Sequence, residues 1–108
     1  MLESKIKKNI YIGTIISPFT LDDVHEVIDQ VEQSKMSVVL LDMHDLGLIT
    51  STTLSIIVSL CKNLEEIQIK LGLFNLSDNN SKLLKIAGID HLLFVFKNCS
   101  EGIAALGR

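Results

Sequence analysis

The chain has 108 residues, 47% of them hydrophobic and 21% charged, with 10 basic against 13 acidic side chains and a net charge of −3. That length holds one core and no second domain, so residues 1–108 are expected to fold as one unit without a metal or disulfide staple. An acidic balance, with only Lys5, Lys7 and Lys8 as a short basic patch, argues against direct nucleic-acid binding. The longest apolar runs, at Val38 to Leu41 and Leu92 to Phe96, fall far short of the roughly 20 residues a membrane span needs.

The N-terminus has an early acid, Glu3, and no apolar run of signal-peptide length, which points to a cytoplasmic protein. Cys61 and Cys99 lack CxxC spacing and read as reduced thiols. Leu2 to Lys7 can form a short edge strand. Asn9 to Ile16 mixes Ile and Tyr with small residues as strands do, and Ser17-Pro18-Phe19 breaks it. Thr20 is a good N-cap, with Asp22 and Asp23 in the first turn. Leu21, Val24, Ile28 and Val31 then recur at helical spacing to about Gln33.

Ser37 to Met43 contains the unbroken run Val38-Val39-Leu40-Leu41, the mark of a strand covered on both faces, and is expected at the centre of the sheet. The chain turns at Asp45-Leu46-Gly47. From Ser51 a helix follows, with Leu54, Ile57, Val58, Cys61 and Leu64 as its apolar stripe.

Ile67, Ile69, Leu71 and Leu73 alternate with Gln68, Lys70 and Gly72, which predicts a strand with unlike faces. Asp78 can cap a short helix that turns Leu83, Leu84 and Ala87 inward. Gly88 suits the left-handed residue that ends it, with Ile89 packing back. Leu92 to Phe96 reads as a last buried strand, and Cys99 or Ser100 opens a tail helix around Ile103, Ala104 and Leu106.

The order is β-β-α-β-α-β-α-β-α, an α/β domain with a mixed, mostly parallel sheet of four or five strands and about four helices. In such sheets ligands and partners meet the loops at the carboxyl ends of the strands, which directs attention to residues 42 to 53.

Within that segment a strand ending in Asp42 leads through Leu46-Gly47-Leu48-Ile49 to Thr50-Ser51-Thr52-Thr53-Leu54, which opens a helix. This layout resembles the phosphorylation segment of the STAS anti-sigma-factor antagonists, where the pattern is apolar-Asp-Ser-Ser/Thr-Gly-Leu. Thr50 and Thr53 stand at the family's aspartate and glycine, and Ser51, Thr52 and Leu54 match. Leu84-Lys85-Ile86-Ala87-Gly88-Ile89 before Leu92-Leu93-Phe94-Val95-Phe96 is similar to the family's C-terminal stretch, so the likeness spans about Ser37 to Leu106. Ile16-Ser17-Pro18-Phe19 replaces the family's Gly-Glu-Leu-Asp turn.

The resemblance implies a binding module rather than an enzyme. It implies phosphorylation at Ser51, with Thr52 as second choice, and a partner-binding loop of Asp45, Gly47, Thr50, Ser51, Thr52 and Thr53. It also implies a serine-kinase anti-sigma factor of the GHKL ATPase type and an opposing serine phosphatase as partners. No cofactor, metal or membrane insertion is expected, and the chain is expected to be a monomer or weak dimer.

Three other readings compete. Thr50 and Ser51 can simply cap the helix. A STAS subunit can scaffold a stressosome-like or phospholipid-transport complex with no phosphorylation. Asp42 at its strand end also resembles the phosphoacceptor of a receiver domain, although the acidic pair that follows the first strand in receivers is missing. Asp42, His44 and Asp45 together carry metal-ligating side chains but read as a solvated turn. Ser51 has no G-x-S-x-G elbow, and His25, His44 and His91 are dispersed along the chain.

Overall fold

The computed structural model describes residues 2–7, 9–89 and 91–107, so Lys8 of the basic patch and Asp90 of the C-terminal stretch lie outside the described residues. Nine elements follow in the expected order: β1 (Leu2–Lys7), β2 (Ile10–Ile15), α1 (Leu21–Ser34), β3 (Val38–Asp42), α2 (Ser51–Glu66), β4 (Lys70–Phe74), α3 (Asp78–Ile86), β5 (Phe94–Phe96) and α4 (Cys99–Leu106). The sheet runs β1-β2-β3-β4-β5, with β3 in the middle. β1 pairs antiparallel with β2, and the other three pairings are parallel.

The sheet is buried from two sides. Tyr11, Ile15, Val39, Leu41, Leu71 and Leu73 point to one face, where α1, α2 and α3 cover them with Val24, Val27, Val31, Ile57, Leu60, Leu64 and Leu84. Ile10, Ile12, Val38, Leu40 and Phe74 point to the other, under Leu106 of α4. Alternate residues of β3 therefore enter different cores, which is why its sequence is apolar throughout.

α4 can lie close because Gly72 and Gly102 have no side chain. A Cβ on Gly72 would stand 2.8 Å from Leu40 Cδ2, and one on Gly102 would stand 3.0 Å from the same atom. Tyr11 is fully buried, and its hydroxyl has no hydrogen-bond partner; the Ser4 side chain lies near it without reaching bonding geometry.

The helix caps follow from local chemistry. Thr20 and Asp23 form a capping box, each side chain accepting from the other's backbone N–H at 3.3 and 2.9 Å. α3 ends as Gly88 predicts, at φ +74°, with Gly88 and Ile89 N–H donating to the Lys85 and Leu84 carbonyls. The same 6→1 bond closes α1 (Met36 N–H to Val31 O) and α2 (Ile69 N–H to Leu64 O). There Lys35 and Gln68, not glycines, hold the left-handed position at φ 53° and 60°.

Several expectations need correction. Ile67 does not begin β4: it caps α2, and the strand starts at Lys70. Leu71, Gly72, Leu73 and Phe74 are then all buried, so the expected unlike faces are absent, because α4 covers the side that Gln68 and Lys70 seemed to mark as solvent. Leu21 is 53% exposed, since a first-turn residue projects past the sheet end, and Val27 takes its place in the stripe.

Ser77, not Asp78, caps α3, while Ala87 is exposed and Asn80 is buried instead. The last strand is only Phe94–Phe96 and lies at an edge with Phe94 and Val95 exposed, whereas Leu92 and Leu93 belong to the preceding turn. In the tail helix Asn98 is the cap and Ala104 faces solvent.

Candidate functional site

The site is the segment joining β3 to α2 at the carboxyl end of the parallel strands. Its course is set by three anchors. Leu46 and Ile49 are buried in the larger core. Gly47, at φ +73°, makes the reversal that a side chain would strain. The third anchor is Asn80 of α3, only 2% exposed. Its carboxamide oxygen accepts from Ile49 N–H at 2.9 Å, and its nitrogen donates to the Gly47 carbonyl at 2.6 Å.

Between these anchors Leu48 is pushed outward and stands 69% exposed. An isolated apolar side chain at the apex of a firmly anchored loop is a candidate contact for a protein partner. The sequence pattern gave Leu48 no special mark, because it sits among apolar neighbours that are buried.

The helix start follows. Thr50 is the N-cap: its hydroxyl oxygen accepts from Thr53 N–H at 3.2 Å, and the two threonine hydroxyls are 3.1 Å apart. Ser51 is therefore the first helical residue and not the cap. It is exposed, and among the described residues its hydroxyl has no hydrogen-bond partner. Thr52 is exposed beside it, and Thr53 is half-buried.

α1, α3 and α4 each carry an acid in their first turn (Asp22 and Asp23, Asp78, Glu101), and α2 carries none. The positive end of the α2 dipole thus has no acidic side chain in its first turn to offset it.

At the other end of the loop His44 lies between two carboxylates, with Nδ1 2.8 Å from Asp42 Oδ1 and Nε2 3.2 Å from Asp45 Oδ2. A neutral imidazole has one N–H, so serving both carboxylates as a donor requires the protonated ring. The hydrogen bond and the charge of Asp42 raise the His44 pKa above its usual value. Partial burial pushes the Asp42 carboxyl up, but hydrogen bonds from the His44 ring and backbone and from Asn75 Nδ2 outweigh it and hold the pKa below the ordinary value.

Asp42, His44 and Asp45 are thus brought together as an ion-paired turn; no group of three or more among the described residues is disposed to hold a metal. Met43, His44, Gly47, Asn75, Ser77, Asn80 and Lys97 line an open cleft of about 630 Å³ beside this turn.

The remaining candidates are not gathered here. His25 and His91 are exposed elsewhere, and Cys61 is buried, its thiol pushed up to about 11 by desolvation and so protonated at neutral pH. Among the described residues no helix is long and apolar enough to cross a membrane.

The comparisons agree with this architecture. The STAS domain model matches residues 3–102, nearly the whole chain. The chain belongs to the STAS domain family.

Solved structures of the same fold include an anti-sigma factor antagonist from Mycobacterium paratuberculosis, with 10% identity and a TM-score of 0.79 over 100% of this chain and 94% of that one. Bacillus SpoIIAA in its phosphorylated form has 12% identity and a TM-score of 0.68 over 100% of each chain. A sulfate transporter family protein from Wolinella succinogenes has 22% identity and a TM-score of 0.81 over 95% of this chain and 88% of that one. At these identities the likeness is one of fold. No curated protein matches the sequence.

Proposed function

We propose that this chain is a cytoplasmic, non-catalytic binding module of the anti-sigma-factor-antagonist kind, whose hold on a protein partner is switched by phosphorylation of Ser51. The observation that carries the reading is the state of Ser51: exposed, first in α2, its hydroxyl without a partner among the described residues, at the one helix start described there that lacks an acid. A phosphate adds about −1.5 to −2 charges at neutral pH and would meet the unpaired N–H groups of that first turn. It would also place that charge beside the exposed Leu48, where an apolar partner surface would have to desolvate it.

The partner is a serine-kinase anti-sigma factor of the GHKL ATPase type, which captures the unmodified form, and a serine phosphatase restores that form. Asp45, Gly47, Thr50, Thr52 and Thr53 frame the contact. Thr52 is the second acceptor, being equally exposed one position further into the helix.

One observation favours a second reading. Thr50 and Thr53 occupy the positions of the family's Asp and Gly and bond to each other, closing the loop into a plain N-cap. A scaffolding subunit whose loop no kinase reads would look like this.

Intact-mass analysis and phosphopeptide mapping of the protein from its native host separate the two. Phosphate on Ser51 that disappears in Ser51→Ala supports the switch. An unmodified protein across growth conditions leaves the scaffold.

A further inference from the structure

The two edges of the sheet differ in how they meet other chains. β1, six residues long, carries Lys5 and Lys7, and lysines along an exposed edge discourage pairing with a foreign strand. β5 has no such guard. Its sequence is Phe94-Val95-Phe96, no further strand pairs with it, and Phe94 and Val95 are 47% and 44% exposed.

The rings of Phe94 and Phe96 lie parallel, 9° apart in plane with centroids 6.3 Å apart, and the strand pairs in parallel with β4. Val95 lines a groove of about 240 Å³ with Ser81, Leu84 and Lys85 of α3. An unpaired backbone edge thus lies next to an apolar recess with a cation at its rim.

The one charged residue that lines this groove is a lysine, Lys85, in a chain of net charge −3. α3 itself carries two lysines, Lys82 and Lys85, against one acid, Asp78. Lys85 lines the groove itself, whereas Lys97, which follows directly on β5, lines the cleft beside the Asp42–Asp45 turn.

We propose that the β5 edge and the α3–β5 groove dock an extended, acidic segment of a partner protein, which adds to the sheet as a sixth strand. Main-chain hydrogen bonds to β5 supply register, an apolar side chain enters the recess over Leu84 and Val95, and an acidic residue faces Lys85. A three-residue edge offers few main-chain bonds, so binding depends on the recess and Lys85 as well. A second copy fits less well, because symmetric pairing about Val95 would draw the two Lys85 side chains together. This surface lies outside the segment that carries Ser51, and the proposal stands or falls independently of phosphorylation there.

The test is selection of a phage-displayed library of linear twelve-residue peptides against the full chain, followed by titration of the enriched peptides, made synthetically, into 15N-labelled protein. Enriched sequences should alternate apolar residues with at least one acid and should shift the amides of residues 94 to 97. They should lose about tenfold or more in affinity to Val95→Lys, which gives β5 the guard that β1 has, a loss of about 1.4 kcal/mol. Lys85→Glu, on an exposed helix position, should weaken them severalfold and abolish the salt dependence, which keeps the test decisive if Val95→Lys fails to fold.

Enrichment no greater than on Val95→Lys, or peptides that shift residues 46 to 53 instead, would overturn the proposal. So would self-association of the unmodified chain that Val95→Lys abolishes, which would put a second copy at this edge.

Discussion

The carboxamide of Asn80 accepts a hydrogen bond from the backbone N–H of Ile49, 31 positions earlier, at 2.9 Å and out of contact with water. Through this bond and its companion to the Gly47 carbonyl, α3 holds the loop that presents Leu48 and Ser51. The first turn of one helix thus fixes the entry to another, and the loop need not order itself when a partner arrives.

Asn80→Ala should therefore destabilise the fold by about 2 to 3 kcal/mol, because it leaves a buried N–H and a carbonyl unpaired. Urea denaturation reads the loss, and hydrogen exchange at Ile49 should quicken more than exchange in β3. Asn80→Asp keeps the acceptor for Ile49 but sets an oxygen against the Gly47 carbonyl, so it too should be destabilising, more so at neutral pH than in acid.

How far such features could be read in advance depended on the range of the interaction. Val38 to Leu41 announced the central strand because a run of four apolar residues has few other homes. Gly88 announced a helix end because glycine tolerates positive φ, and Thr50-Ser51 announced a helix start. Asn80 gave no sign, since its partners lie 31 and 33 positions away and an asparagine in a first helical turn is ordinary.

The misreading of β5 as a buried strand has a related cause. Phe and Val look the same in sequence whether a neighbour covers them or not, and only the order of strands puts Phe94–Phe96 at an edge.

Lys35 and Gln68 were equally hidden, as their side chains carry no preference for the left-handed region they occupy. An L side chain at φ near +55° is strained by about 1 to 2 kcal/mol relative to the right-handed region, although glycine loses part of that advantage through its freer unfolded state. Lys35→Gly and Gln68→Gly should each stabilise the chain by roughly 0.5 to 1 kcal/mol. The two sites close different helices, so the gains should add in the double variant, as thermal unfolding will show.

The ion-paired turn predicts a pH signature. Because the His44 pKa is raised in the fold, its contribution is complete below the unfolded value near 6.5 and is lost as pH rises through the higher folded value. Because the Asp42 pKa is lowered, its contribution is complete above the unfolded value near 3.8 and is lost as pH falls through the lower folded one. The contact therefore acts in full between about pH 3.8 and 6.5 and weakens on either side. NMR titration of the His44 ring should give a pKa above the ordinary histidine value, and Asp42→Asn should bring it back toward that value. An unchanged His44 titration in Asp42→Asn would mean the pair does not persist in solution.

Close approach of α4 predicts the cost of a single methyl group. A Cβ at Gly72 would meet Leu40 Cδ2 at 2.8 Å and Phe96 Cε2 at 2.9 Å, both inside van der Waals contact. Side chains can shift, but Leu40 is fully buried and has little room. Gly72→Ala should cost about 1 to 3 kcal/mol by overpacking. Heteronuclear spectra should place the disturbance in α4 and β5 and leave the loop from Asp42 to Thr53 untouched.

Negative charge at position 51 gives the remaining prediction, and it requires no partner. Among the four described helices only α2 begins without an acid, and Ser51 is its first residue, exposed and with no partner for its hydroxyl among the described residues. Ser51→Glu should therefore raise stability by roughly 0.3 to 1 kcal/mol at low ionic strength, as an anion does at a helix start, and the gain should shrink as salt is added. Ser51→Ala should be close to neutral, since Thr50 and not Ser51 holds the cap. Paired urea titrations at low and high salt decide it. A destabilising Ser51→Glu would mean that the helix start does not favour a negative charge at this position, and a phosphate there would then act by straining the loop rather than by changing the surface a partner meets.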